Sequence, residues 1–145
     1  GSSPLRSISM SHKAPFDLMA ALIAHRLFER FTNLRMASIE MGAFWVPWLL
    51  QSLERTYGQD PSYFFEDPVE TFKRHISIAP FHEDSVLKLK ELIGAENLLL
   101  GSDWPHAEGL VNPADFAKDL DGFSDSEVKM VMRDNCLALS QRRPV

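Results

Sequence analysis

Cysteine is almost missing from this chain of 145 residues: Cys136 stands alone, and a disulfide needs two. An intramolecular disulfide framework and a cysteine-based zinc site are therefore both excluded. Such usage suits a reducing compartment, and the expected location is the cytoplasm. Long apolar runs are missing too, since no stretch reaches the roughly 18 apolar residues of a membrane span. The polar opening Gly-Ser-Ser-Pro-Leu-Arg-Ser has no hydrophobic segment behind its charge, so neither a signal peptide nor a membrane partner is expected. Basic residues are in deficit, 15 Lys and Arg against 20 Asp and Glu for a net charge of −5, and they are scattered. Neutralising phosphates takes a clustered basic footprint, and nucleic acid is not an expected partner. A P-loop, a Gly-x-Gly-x-x-Gly turn and a His-Glu-x-x-His helix are also absent, which leaves the common phosphate, dinucleotide and zinc-protease routes without local support.

What is present suffices for a core. Apolar residues make up 45% of the chain and include ten Phe and three Trp. By length this is one ordinary soluble domain. With no Met at position 1, the left end reads equally as a natural start, a truncated start or an expression scar of Gly-Ser. Residues 1–15, rich in Ser and without period, read as a loop or arm. Residues 16–141 read as the folded domain and 142–145 as a frayed tail.

Within the domain, Phe16, Met19, Ala20, Ile23, Leu27 and Phe31 fall at helical spacing and predict a helix over 16–31. Leu34–Ile39 reads as a short buried strand, 45–57 as a helix stopped by Gly58, and 68–73 as a short helix inside an aromatic loop. His75–Ala79 reads as a second strand and Glu83–Ile93 as a helix with an acidic first turn and Gly94 past its end. Asn97–Gly101 reads as a third strand, whose unbroken leucines suit burial on both faces of a parallel sheet. A helix over 113–120 and a last one over 125–140, opened by the capping box Ser124-Asp125-Ser126-Glu127, complete the pattern. Strands alternating with helices predict an α/β fold with parallel strands.

In α/β folds the reactive groups lie on loops leaving the carboxyl ends of strands. Those ends here carry Ile39-Glu40-Met41-Gly42, Ala79-Pro80-Phe81-His82-Glu83 and Gly101-Ser102-Asp103-Trp104-Pro105-His106. Asp103 either binds a divalent metal and handles protons or caps the turn that follows it. His106 is a metal or oxyanion candidate, against the plainer reading of an exposed loop donor. Glu40 ends an apolar strand, where a buried carboxylate needs a partner: a metal, a hydrogen-bond network, or an ion pair with Arg35 or Arg55. His82 is a candidate substrate contact beside Glu83, whose own charge suits a helix start. Trp45 and Trp104 are candidates for an aromatic substrate pocket, or else, with Trp48, core and interface residues. His12, His25 and His75 read as ordinary surface or satisfied core histidines, and Cys136 as a small buried hydrophobe.

With these residues assembled, the sequence resembles the amidohydrolase superfamily, in the branch that includes aminocarboxymuconate semialdehyde decarboxylase. Pro15–Arg35, Met36–Trp48, Asn97–Gly109 and Asp134–Leu139 carry the resemblance, and Gly-Ser-Asp-Trp-Pro-His is its most specific part. The resemblance implies a (β/α)8 barrel with a divalent metal, zinc foremost, at its carboxyl-end face. Asp103 matches the metal ligand of the family's eighth strand, which also handles protons, and His106 falls in the adjacent Pro-His loop. Glu40 stands where many members place the His ligand of the sixth strand, and Glu can also ligate a metal.

No His-x-His occurs in the chain, and nothing matches the first five strands. The expectation is therefore the C-terminal part of a barrel, strands six to eight, completed as a homo-oligomer that covers its open edges. As function, the resemblance implies a fragment or truncated member of a metal-dependent hydrolase or non-oxidative decarboxylase. Its substrate would be a small organic acid or a cyclic or aromatic compound. The complete enzyme would use Asp103 for metal and protons, Glu40 as a ligand or supporting acid, and His106, Trp45, Trp104 and His82 at the substrate. Two alternatives stand beside it: a non-catalytic oligomeric α/β module derived from the family, carrying no metal, and an unrelated small binding domain whose Asp103 only caps a turn.

Overall fold

The structure, a computed structural model, describes residues 4, 12–81, 85–107 and 109–141, and its contacts divide the chain into two units. The first unit joins the residues up to Leu34 with Phe44–His75. Its helix α1 spans Lys13–Ala24 and a single further turn, α2, spans Leu27–Arg30. The helix expected over 16–31 is thus broken, because Arg26 takes a left-handed φ of 58° and its guanidinium pairs with Glu29 across the break. The break rotates the buried face: Phe28 is buried, whereas Phe31, which the unbroken period would bury, is 53% exposed.

Helix α3, Trp45–Gln59, buries Trp45, Val46, Leu49, Leu50 and Leu53 along one stripe. It runs through Gly58, the expected stop, and ends at Asp60, whose ψ of 77° reflects the restriction that Pro61 places on the residue before it. A 3₁₀ turn, Pro61–Tyr63, follows, and helix α4 spans Pro68–His75. Asp67 Oδ1 accepts from the Val69 amide at 2.8 Å and opens α4. Trp45 meets Phe72 edge-on at 6.4 Å, and Phe28 stacks on the buried His75 ring at 4.6 Å. His75 closes α4 instead of opening a strand, and its Nδ1 donates to the Leu34 carbonyl at 2.7 Å.

The second unit joins Arg35–Ala43 with the residues from Ile76 onward. Strands β1, Met36–Ser38, and β2, Ile76–Ile78, run parallel in the register Met36↔Ile76, Ala37↔Ser77 and Ser38↔Ile78. The expected third strand is reduced to one parallel bridge, Ile78↔Leu98, reinforced by the Leu99 amide donating to the Ile78 carbonyl at 2.8 Å. Its first residue, Asn97, belongs instead to a 3₁₀ turn, Ala95–Asn97, and the Asn97 side-chain Nδ2 donates back to the Ile93 carbonyl. Beyond the bridge, Pro80 has no N–H with which to carry the ladder onward. Leu98 and Leu99 are nonetheless buried, as their sequence run predicts.

Between β2 and the bridge lies helix α5, Val86–Ile93, which buries Val86, Leu89 and Ile93. Its expected acidic first turn at Glu83 falls outside the described residues, as does the tail at 142–145. The helix expected over 113–120 is a 3₁₀ helix, Pro113–Asp119, capped by the Asn112 side chain. The last helix reads α6, Asp125–Lys129, then a π turn, Met130–Asp134, then α7, Asn135–Ser140. The capping box of Ser124 and Glu127 forms as expected. The result is an α/β fold rich in helix and short in strand. Among the described residues no helix is long and apolar enough to cross a membrane.

Lys90 Nζ meets Glu127 Oε2 at 2.8 Å and lies 4.6 Å from the centre of the Phe123 ring, so α5 is latched to the start of α6. The Lys90 ammonium, with the Ser124 amide and hydroxyl, holds the Glu127 carboxyl down to about 2. A carboxyl depressed on folding contributes stability above its unfolded pKa and loses it as pH falls through the folded value. Glu127→Gln is therefore expected to be less stable than the parent at pH 6, with the deficit shrinking steadily as pH falls from about 5 to 2, read from urea midpoints. An equal deficit throughout would contradict this.

Candidate metal centre

The short ladder of the second unit sends the chain out of β1 and out of the Leu98 bridge on the same side. Glu40 lies just past β1, and Asp103 lies just past the buried leucines. Two glycines shape the second exit. A Cβ on Gly101 would stand 1.9 Å from the Pro80 carbonyl oxygen, and one on Gly109 would stand 2.4 Å from the Asp103 carbonyl oxygen. Only hydrogen fits at either place. The loop then closes on itself, with the His106 amide donating to the Asp103 carbonyl at 2.9 Å and the Leu110 amide to the Ser102 carbonyl at 2.8 Å. The Trp104-Pro105 peptide within it is cis.

Glu40 and Asp103 both hold left-handed backbone, φ 58° and 53°. For residues other than glycine this costs about 1–3 kcal/mol each and concentrates at functional sites. Their side chains converge with His106, and one ligand atom from each of the three lies within 4.8 Å of the others. Asp103 is the best enclosed, with 12% of its side chain exposed, and its Oδ1 accepts from His106 Nδ1 at 2.8 Å. Two carboxylates and an imidazole are donors that suit a divalent cation, and their spacing is that of ligands converging on one ion.

Of the residues singled out in the sequence, Glu40, Asp103 and His106 are brought together. A cavity of about 190 Å³ adjoins them, lined by Glu40 and Asp103 together with Pro80, Phe81 and Trp104. Trp104 is 61% exposed, while Trp45 is buried in the first unit against Phe72. The expectation of a substrate contact from Trp45 is corrected to a core role, because its ring surface is consumed in packing. His82 falls outside the described residues. Phe81, its neighbour, also lines the cavity, and its place after a strand end is the signal for it in the sequence. Arg35, a candidate ion-pair partner for Glu40, donates instead to the Ala138 and Gln141 carbonyls. Cys136 is exposed, not buried as expected, because the cavity it lines with Ile39, Leu100 and Leu137 is open.

A parallel α/β unit with metal-type donors at its strand exits defines a class of protein, and comparison with known proteins narrows it. The amidohydrolase family model matches residues 7–139, and the chain belongs to that family. The structure superposes on an amidohydrolase from Mycobacterium avium subsp. paratuberculosis K-10 with a TM-score of 0.90 and 41% identity, covering 95% of this chain and 36% of that one. It also matches 5-carboxyvanillate decarboxylase LigW from Sphingomonas paucimobilis at a TM-score of 0.65 and 25% identity, covering 83% of this chain and 37% of that one. The chain therefore spans little more than a third of either relative. A search of curated proteins gives no match.

The close approach at Gly101 carries a direct test. Gly101→Ala forces a methyl group into the Pro80 backbone and is expected to destabilise the fold by about 1–3 kcal/mol, read from the denaturant midpoint. An unchanged midpoint would mean that the two strand exits are not held this closely.

Proposed function

We propose that this chain is the part of a (β/α)8 amidohydrolase barrel that corresponds to strands six to eight, and that it works in metal-dependent hydrolysis or non-oxidative decarboxylation. The observation that carries the reading is the convergence of Glu40, Asp103 and His106 within 4.8 Å at the strand exits. The substrate class is a small organic acid or a cyclic or aromatic compound, in keeping with the aromatic carboxylic acid named for the LigW relative. Phe81 and Trp104 give the cavity aromatic walls suited to it.

Asp103, Glu40 and His106 would hold the cation, which supplies Lewis acidity toward a substrate oxygen. Zinc is the first candidate metal. In hydrolysis the Asp103 carboxylate accepts the proton of the attacking water and returns it to the leaving group. In decarboxylation the same group, first protonated from solvent, would give that proton to the ring carbon as its bond to the departing carbon dioxide breaks, and would return to carboxylate. His106 Nδ1, donating to Asp103 Oδ1, orients that carboxylate and stabilises its charge. Glu40 adds a second negative charge and so raises the site's preference for a cation.

We further propose that the chain works as a homo-oligomer in a cytoplasmic setting. Exposed Ile39, at 60%, and Leu137, at 44%, are apolar side chains of the second unit that such an assembly would bury.

Metal analysis tests the reading. The chain dialysed against zinc and then buffer is expected to retain one equivalent by mass spectrometry. Asp103→Ala is expected to retain essentially none, and Glu40→Gln to bind at least about tenfold more weakly. A chain that retains no metal under replete conditions is the non-catalytic α/β module instead.

A further inference from the structure

We propose that Asn135 and Arg35 are positioning residues for the metal centre: together they pin the C-terminal helix to the two strand segments that lead into Glu40 and Asp103 and so set the distance between those carboxylates. The inference rests on the metal-centre reading above. Asn135 Nδ2 donates to the Ala95 and Leu98 carbonyls, each at 2.8 Å. Leu98 is the residue bridged to β2, and from it the chain runs through the glycine contact at Gly101 into Asp103. At the other end of α7, the Arg35 guanidinium donates to the Ala138 and Gln141 carbonyls. Arg35 directly precedes β1, whose exit carries Glu40.

These bonds tie one short rod to the two segments that bear the donors. A cation at the end of a helix also satisfies carbonyls that lack intrahelical partners and suits the dipole there. Three further observations give the rod its role. The ladder between the two segments is only three residue pairs and one bridge, so few main-chain bonds resist a shift of one exit against the other. Between the helix and the strand exits lies a cavity of about 450 Å³, lined by Ile39, Leu100, Met132 and Leu137 among others. Side-chain packing there is open, and the polar clamps carry the alignment. The π turn Met130–Asp134 directly precedes Asn135, and such local widening re-aims the residues that follow it.

The experiment is a cobalt(II) titration of the 145-residue chain. It is read by the visible absorption band, which reports donor geometry, and by competition with a chelator, which reports affinity. Asn135→Ala and Arg35→Met are each expected to weaken binding by about tenfold or more and to change the band, as losses behind metal ligands do. Arg35→Lys is expected to restore part of the affinity. Lys90→Met, which unlatches the opposite end of the same helix by removing the Glu127 pair, is expected to lower the melting temperature yet leave band and affinity unchanged. Circular dichroism checks each fold, and should Asn135→Ala not fold, the Arg35 pair decides. If the parent binds cobalt and both clamp variants bind it identically, the positioning role is overturned while the metal centre stands. An equal loss in Lys90→Met overturns it as well, by showing that stability alone is at work. A parent chain that binds no cobalt overturns both readings.

Discussion

Everything at the site depends on a ladder of three residue pairs. Met36–Ser38 lies parallel to Ile76–Ile78, and a single bridge continues the set to Leu98. Parallel pairing makes all strands leave on one side, which is why Glu40 and Asp103, far apart along the chain, end as neighbours. An antiparallel third segment of the same composition would have sent Asp103 to the opposite edge. The ladder is too short to hold this alignment through main-chain bonds alone. Buried side chains supply the rest: Ile76, Ile78 and Leu98 are each no more than 1% exposed. Burial of this order contributes roughly 1.5–3 kcal/mol per large aliphatic residue, so three such side chains outweigh the few hydrogen bonds they accompany.

Much of this was legible in the residues, and the misses have physical causes. The helices at α3, α4, α5 and the chain's end were all expected near their places, and local chemistry located the capping box at Ser124. The third strand failed because its limits are set by tertiary contact. Pro80 and Asn97, neither of them among the leucines, stop the ladder on either side. The break at Arg26 failed for a related reason, since nothing in an uninterrupted apolar period announces a left-handed residue. At the site, the Gly-Ser-Asp-Trp-Pro-His motif identified Asp103 and His106 because its specificity is local. Glu40 was legible as a charge at a strand end and, through the resemblance, as standing at the sixth-strand ligand position. Trp45 could not be assigned from type alone, since a large aromatic is equally at home in a pocket wall and a core. The clamps of Arg35 and Asn135 left no local trace, because both act on carbonyls that every sequence possesses.

The two strained carboxylate residues and the two cramped glycines are parts of one arrangement. A left-handed residue turns the chain sharply at the end of a strand, directing its side chain back over the strand exit where a regular continuation would carry it away. Glu40 and Asp103 both do this, at φ 58° and 53°. Such backbone persists only where the surroundings over-determine it. For Asp103 the surroundings are visible: Gly101 pressed on Pro80, Gly109 pressed on the Asp103 carbonyl, and the amides of His106 and Leu110 closing the loop. The bend at Asp103 is held by close backbone approaches at Gly101 and Gly109 that only glycine permits. The enclosure that strains the backbone also brings His106 Nδ1 within 2.8 Å of the Asp103 carboxylate. Strain, enclosure and donor convergence then have a common origin in the spacing of Gly101, Asp103, His106 and Gly109, and a substitution that relieved one would loosen the other two.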